Sequence, residues 1–405
     1  VNGADLSPVF SSEITRTTRV LSLPYLGRVE MALDQGEIRA GVRAEPITEV
    51  EFELVEGSPR AVFEAARRVL PPEALRPSRL NKAERGALLA ETGAIEPPAV
   101  PRKARAVALD REMTTEAGAR AVLAECLDQI DANVEAVLAD DDPEGPHQLR
   151  VGLRRLRSAF QLFEAALGGE RMRQLGAEAQ WLGREVGILR DLDVAGGEMV
   201  AGAAALEPEE PGFGALAEAL AAEASEVRAV LRRTLAGARA RGFVLDLTEF
   251  VATRGWLDPG DFEQTARLAR PLPESASAAL DKRLAKAAKR AKGLEGLSVE
   301  ARHELRKALK KLRYGVEFFA PLYPAKAVKP FVKRLKAMQE IFGDMNDAAM
   351  AGAIFRDPEG PAARDVAAAR AAGCVLGLHG ERARRAWGEA KASWKALKET
   401  GPFWR

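Results

Sequence analysis

The segment HQLRVGLRRLRSAFQLF, residues 147–163, recurs 156 residues later as HELRKALKKLRYGVEFF, residues 303–319. A segment repeated with its register intact demands a fold built of two related halves. Two of the three histidines in the chain open the two copies. On a helix turning about 100° per residue, His147, Arg150, Arg154 and Arg157 fall within one arc roughly 80° wide. Leu149, Leu153, Leu156, Phe160 and Phe163 cluster on the opposite side. The second copy keeps the register, with His303, Arg306, Lys310 and Arg313 on the polar stripe and Leu305, Leu309, Leu312, Val316 and Phe319 on the apolar one. Such a helix is expected to bury one face and turn the other toward anions.

At 405 residues the chain is too long for one ordinary core, which predicts two or three domains. Its net charge of +1 argues against a generally basic, nucleic-acid-coating protein. The average hides segregation: residues 281–350 hold 17 Lys and Arg against 8 Asp and Glu, whereas residues 195–230 hold seven Glu and one Arg. Positive potential is therefore expected on particular surfaces. The two cysteines, Cys126 and Cys374, supply neither a disulfide framework nor, with so few histidines, a zinc site. No apolar run approaches the ~18 residues of a membrane span, and no signal layout opens the chain. A cytoplasmic location without membrane contact follows as an expectation. The start at Val1 rather than Met suggests a fragment.

Residues 1 to about 57 read as strands. RVEMALDQGEIRAGV alternates Val29, Met31 and Leu33 with Glu30, Ala32 and Asp34, and Asp34-Gln35-Gly36 reads as a hairpin turn. EVEFEL places Glu49, Glu51 and Glu53 on one face of a strand, an arrangement that requires water, cations or basic side chains opposite. A helix over 59–70 ends at Pro71, Pro72 and Pro77, and Pro97, Pro98 and Pro101 mark a linker. From about residue 107 only helical periodicity is found, over 110–139, 146–166, 170–204, 214–241, 247–253, 261–269, 273–292, 299–320, 327–355, 360–374 and 377–399. LGREVGILRDLDV at 182–194 aligns with LKAMQEIFGDMNDA at 335–348, setting Asp191 against Asp344 and Asp193 against Asn346. The domains expected are a β-rich region, 1–95; a Pro-rich linker, 96–106; and a helical region, 107–400, in two repeats of about 107–255 and 260–400.

HxLRVxxRRLR at 147–157, HxLRKxxKKLRY at 303–314, LRDLDV at 189–194 and MQEIFGDMND at 338–347 resemble the CHAD family of α-helical, histidine-containing domains. That resemblance implies a mainly α fold of two four-helix bundles related by a pseudo-twofold axis, with a basic groove or pore that binds inorganic polyphosphate. It also implies association with polyphosphate granules. PVFSSEITRTTRVL at 8–21, the VEMALDQGEIRAG hairpin, ITEVEFEL at 47–54 and RLNKAERG at 79–86 resemble the second half of a CYTH domain of the triphosphate tunnel enzymes. An N-terminal α+β part with a partial antiparallel sheet is the fold expected from it. The ExExK strand that normally opens such a domain is absent from this sequence. The helical part is therefore expected to be a binding module needing no cofactor, while Mg²⁺ or Mn²⁺ would serve a complete CYTH domain. As a triphosphatase, the alternative function, the chain would use its helical part to recruit substrate.

Polyphosphate presents about one negative charge per unit and no base, sugar or apolar surface, so recognition rests on a row of cations. Arg bonds phosphate oxygens bidentately and stays charged, and Lys adds a compact charge. From His147 to Arg157 a helix spans about 15 Å, enough for several phosphates. The candidate contacts are His147, Arg150, Arg154, Arg155, Arg157 and Arg190 in the first half. In the second they are His303, Arg306, Lys307, Lys310, Lys311, Arg313 and Tyr314, joined by Lys286, Lys289, Lys329 and Lys333 from other basic helices. Surface helices usually mix acids among their bases, but none lies between Arg150 and Arg157 or between Leu305 and Arg313.

The two histidines suit a ligand-facing donor, a structural hydrogen bond or a catalytic role, and His379 carries no stripe around it. Asp191 and Asp344 suit capping or the orientation of a neighbouring Arg better than paired catalysis. In the N-terminal part, Glu49, Glu51 and Glu53 can offer hard oxygens to a metal, with Arg16, Arg19, Lys82 and Arg85 toward a triphosphate. Three Tyr residues and no exposed aromatic platform disfavour nucleic acid.

Overall fold

The structure, a computed structural model, describes residues 7–405; residues 1–6, within the expected β-rich region, lie outside the described residues. Three strands come first, β1 (Ser11–Leu23), β2 (Gly27–Ala40) and β3 (Arg43–Gly57), followed by α1 (Arg60–Val69) and α2 (Lys82–Thr92). The next helices are α3 (Thr115–Ala139), α4 (Glu144–Leu162), the single turn α5 (Glu164–Leu167) and α6 (Glu170–Val194), which runs through a π-helical turn, Ala195–Val200, into α7 (Ala201–Ala204). Then follow α8 (Gly212–Ala236), α9 (Ala238–Ala252), α10 (Phe262–Ala269), α11 (Leu272–Arg290), α12 (Val299–Phe319), α13 (Ala325–Phe355) and α14 (Val366–Thr400).

Two compact units divide the chain: residues 1–100 with 234–255, and residues 101–233 with 256–405. The stretch 234–255, read in sequence as the end of the first helical repeat, thus belongs with the strands. Arg67 on α1 explains this, bonding Asp246 at 2.6 Å and Glu249 at 2.5 Å on α9, while Leu245 packs on Ala66 and Leu75.

In the first unit the strands form an antiparallel sheet in the order β1-β2-β3. Helix α1 packs on the face carrying Leu23 and Val29, and α2 sets Leu89 against Ile38, Ala40 and Ile47. The hairpin expected at Asp34-Gln35-Gly36 is not a turn. Strand β2 runs straight through it, Asp34 pairing with Arg16 and with Glu49, and the chain reverses at Gly41, where φ is +60°. Gly36 is there for proximity: a Cβ would lie 1.9 Å from the Glu13 carbonyl oxygen of β1. Helix α2 was not foreseen, although Asn81 and Glu84 form a capping box and Gly93 closes it at φ +86°.

In the second unit the apolar stripes of the repeat are buried as expected, with Leu149, Leu156, Leu305, Leu309, Leu312 and Phe319 fully inaccessible. Helix α4 packs between α3 and α6, α12 between α11 and α13, and α13 along α14. A further core joins the end of α6 and α8 to α13 and α14 through Leu216, Leu220, Ala351 and Val375. The two bundles, α3, α4, α6 and α8 against α11 to α14, meet through that core and where α4 touches α12. Phe163 and Phe319, equivalent residues of the repeat, meet there edge to face with centroids 5.6 Å apart. Residues 360–374 and 377–399, read as two helices, contain one continuous helix, α14, because nothing at Gly377 interrupts the ladder.

Candidate functional site

Beyond the Phe163–Phe319 contact, α4 and α12 border a groove of about 830 Å³ whose walls also include α6, α11 and α13. Helix α4 contributes His147, Arg150, Arg154 and Arg157; α12 contributes His303, Arg306, Lys307, Lys310, Lys311 and Tyr314. Arg190 of α6 and Lys286 of α11 complete the basic lining. Nine Lys and Arg face four carboxylates, Asp191, Glu198, Glu304 and Asp347, so the groove keeps a large positive excess.

Those carboxylates are distributed unevenly. Asp191 accepts from Arg150 at 2.6 Å, the orienting role its position suggested, and Glu198 on the π-helical turn accepts from Arg190 at 2.9 Å. Glu304 is paired with Lys307 and lies 3.3 Å from Arg290. Arg154 donates to the Tyr314 hydroxyl at 3.2 Å, a neutral partner. The Arg306 Nε is buried with no hydrogen-bond partner among the described residues.

Like-charge crowding shows in the titration of these groups. Burial, then Arg306, Arg154 and Arg150, push Lys310 down to about 7. Burial and the nearby Arg283, Lys286 and Arg157 lower Lys311. Arg306 is lowered by burial and by Arg154, with Asp347 opposing, and Arg157 by burial and Arg184. Burial and Arg190 hold the half-buried His147 below the usual imidazole range. An anion entering such a groove relieves repulsion already present, so it gains more than a lone surface cation would offer.

Five of the cations expected here lie elsewhere. Arg155 is buried, its guanidinium 4.4 Å above the Phe318 ring and 3.7 Å from Glu317. Arg313 donates to Glu317 at 2.6 Å and to Gln339 at 2.8 Å. One acid captures both. The repeat has Gln161 and Leu162 where the second copy has Glu317 and Phe318, so Lys311 and Arg157, the equivalents of Arg155 and Arg313, meet no such partners and line the groove. Lys289, Lys329 and Lys333 are exposed and outside the groove, on faces that helical periodicity alone does not orient. Glu198, Asp347 and the apolar Met350 and Ile354 were missed, since none belongs to a charge stripe. His379 is 6% exposed with an unpartnered Nε2, lowered by burial and Arg382, and does not line the groove.

The first unit holds a second charged constellation. Asp34, Glu49 and Glu51 bring three carboxylate oxygens within 4.8 Å of one another. Lys82 contacts all three, at 2.6 Å from Asp34 and from Glu51; Arg16 bonds Asp34 at 2.6 Å and Arg85 bonds Glu49 at 2.9 Å. The Arg16 hydrogen bond, with Lys82 assisting, holds the buried Asp34 at about 2. Burial would lower Lys82, but the three carboxylates raise it. Hard oxygen donors of this kind suit Mg²⁺ or Mn²⁺, yet the Lys82 ammonium is the cation among them. Glu53, the third carboxylate expected, is exposed and opposes Glu30; Asp34 takes its place because it lies directly across from Glu49 in register. Arg19 is exposed on β1.

Among known proteins, the family model of the CHAD domain matches residues 121–356. The crystal structure of the CHAD domain from the plant Ricinus communis is similar at a TM-score of 0.62 and 28% identity, over 74% of this chain and 96% of that one. An inorganic triphosphatase of Haemophilus influenzae is 36% identical over 84 residues, 21% of this chain. The chain matches only 24% of the length of that curated relative.

Proposed function

The chain belongs to the CHAD domain family, and from that premise we propose that its helical unit binds inorganic polyphosphate along the groove between α4 and α12. The observation that carries this reading is the cluster of Arg154, Arg306 and Lys310, cations gathered on facing helices with no carboxylate bonded to them among the described residues, where burial first and then the neighbouring guanidiniums bring Lys310 to about 7. Like charges gathered in one cavity cost folding free energy, and a bound polyanion would offset that cost. One exposed cation about 4 Å from a phosphate gains on the order of 1 kcal/mol in water, whereas association costs roughly 4 to 15 kcal/mol. A long chain that meets many cations at once satisfies that balance; a single phosphate does not. Association with polyphosphate granules follows from the same chemistry. No helix among the described residues is long and apolar enough to cross a membrane.

A second reading, a metal-dependent triphosphatase, is favoured by the carboxylate cluster of Asp34, Glu49 and Glu51 and by the triphosphatase relative. It requires a metal to displace Lys82 from that cluster.

Labelled long-chain polyphosphate titrated into the protein, then challenged with tripolyphosphate, ATP, single-stranded DNA and RNA, tests the first reading. Displacement by unlabelled polyphosphate far below the concentration at which nucleic acid of matched charge competes is expected. Equal displacement by nucleic acid removes the polyphosphate assignment. Mg²⁺-dependent phosphate release from tripolyphosphate supports the second reading.

A further inference from the structure

Lys310 occupies a singular position in the groove. It lies on α12 where the first repeat has Arg154, and these two equivalent residues share the same cavity. Arg306 and Arg313 of its own helix and Arg150 and Arg154 of α4 all act on it. Of these four, Arg150 and Arg313 already have carboxylate partners, while Lys310 forms no ion pair or hydrogen bond among the described residues. The other charged or titratable walls are His147 and Arg157 on α4, Arg190 and Asp191 on α6 with Glu198 on the π-helical turn, Lys286 on α11, His303, Glu304, Lys307, Lys311 and Tyr314 on α12, and Asp347 on α13.

A guanidinium cannot discharge in a protein, whereas a lysine ammonium can. Where cations are crowded and largely buried, the lysine among them is the group that loses its proton. We infer that the groove takes up a proton on Lys310 as a phosphate chain enters, so that anion binding and protonation of this one residue are a single linked event. The inference rests on the polyphosphate reading and adds its regulation: acidification tightens the grip and alkalinity loosens it. The sign follows from linkage. In the free protein the ammonium is depressed to about 7; polyphosphate oxygens beside it favour the charged form and raise it again. Above that value each bound chain must bring a proton, and affinity falls by as much as about tenfold per pH unit; below it Lys310 is already charged and the dependence flattens.

Isothermal titration of the full chain with sodium polyphosphate, in paired buffers of different ionisation enthalpy, reads the proton directly. Uptake close to one proton per groove is expected at pH 8, with much less at pH 6 from this residue. His147, lowered by burial and Arg190 in the free groove, is also favoured in its charged form by the anion, so uptake that remains at pH 6 in a variant without Lys310 belongs to it. In Lys310→Arg the charge is fixed, and the slope of affinity between pH 7 and 9 should vanish together with the uptake. Wild-type binding with no uptake at pH 8, or uptake that persists undiminished in K310R, overturns the inference. Absence of polyphosphate binding at pH 6, where every cation is charged, overturns the functional reading instead.

Discussion

The molecule contains two dense constellations of charge, and they differ in what they lack. Around Asp34 the three carboxylates are met by Arg16, Lys82 and Arg85, and acid and base shift apart as each holds the other charged: Asp34 down, Lys82 up. Around Lys310 cations outnumber carboxylates, and burial together with neighbouring cations shifts Arg306, Lys310 and Lys311 toward the neutral form. In the first arrangement each carboxylate meets a cation of the same chain. The second holds an excess of cations, which on the proposed reading a bound anion would offset. The same residue types thus pair off in one unit and crowd together in the other, the arrangement on which the proposed receptor role rests.

The largest effect expected from this contrast is in the groove. Replacing Arg150, Arg154, Arg306 and Lys310 together by Ala removes four cation–phosphate attractions of about 1 kcal/mol each, so polyphosphate affinity should fall at least about a hundredfold. The slope of log affinity against log salt should shrink by roughly one for each cation removed. The melting temperature should hold or rise, since removing crowded like charges relieves strain in the folded state. An affinity within twofold of wild type would show that these stripes do not bear the ligand.

The paired cluster around Asp34 should respond in the opposite sense. Lys82→Met leaves Asp34, buried between β1 and β3, with Arg16 alone and removes the shared cation from Glu49 and Glu51. Breaking such a pair costs about 3 kcal/mol, which native-state amide exchange should report as faster exchange in β2 and β3. Polyphosphate affinity should not change. Unaltered exchange would mean that the cluster contributes little and that a cation such as Mg²⁺ can take the place of Lys82 without loss.

Much of the fold was legible because burial and periodicity coincide: the apolar stripes of both copies are the inaccessible faces of α4 and α12, and Arg150, Arg154, Arg306 and Lys310 of the polar stripes line one groove. What failed depended on partners distant in sequence. The absence of acids between Leu305 and Arg313 was a true observation, but Glu317, one turn beyond Arg313, draws both Arg313 and Arg155 out of the groove. The acidic cluster was read along one strand, which favoured Glu53; the sheet places Asp34 beside Glu49 instead, on the residues that looked like a turn. Strand register and inter-helix packing are properties of pairs, and a local pattern carries only half of each pair.

The smallest effect separates position from charge. Lys289, Lys329 and Lys333 belong to the most basic stretch of the chain, yet all three are exposed and none borders the groove. If net attraction by that stretch were the source of binding, changing all three to Ala would weaken polyphosphate nearly as much as removing three groove cations. If crowding in a shared cavity is the source, their fields are largely screened within about 8 Å at physiological salt. The triple variant should then bind within twofold of wild type at physiological salt and drift from it only as salt is lowered. A loss comparable to that of the groove variant would move the receptor from the cavity to the surface and erase the distinction between the two kinds of cation in the helical unit.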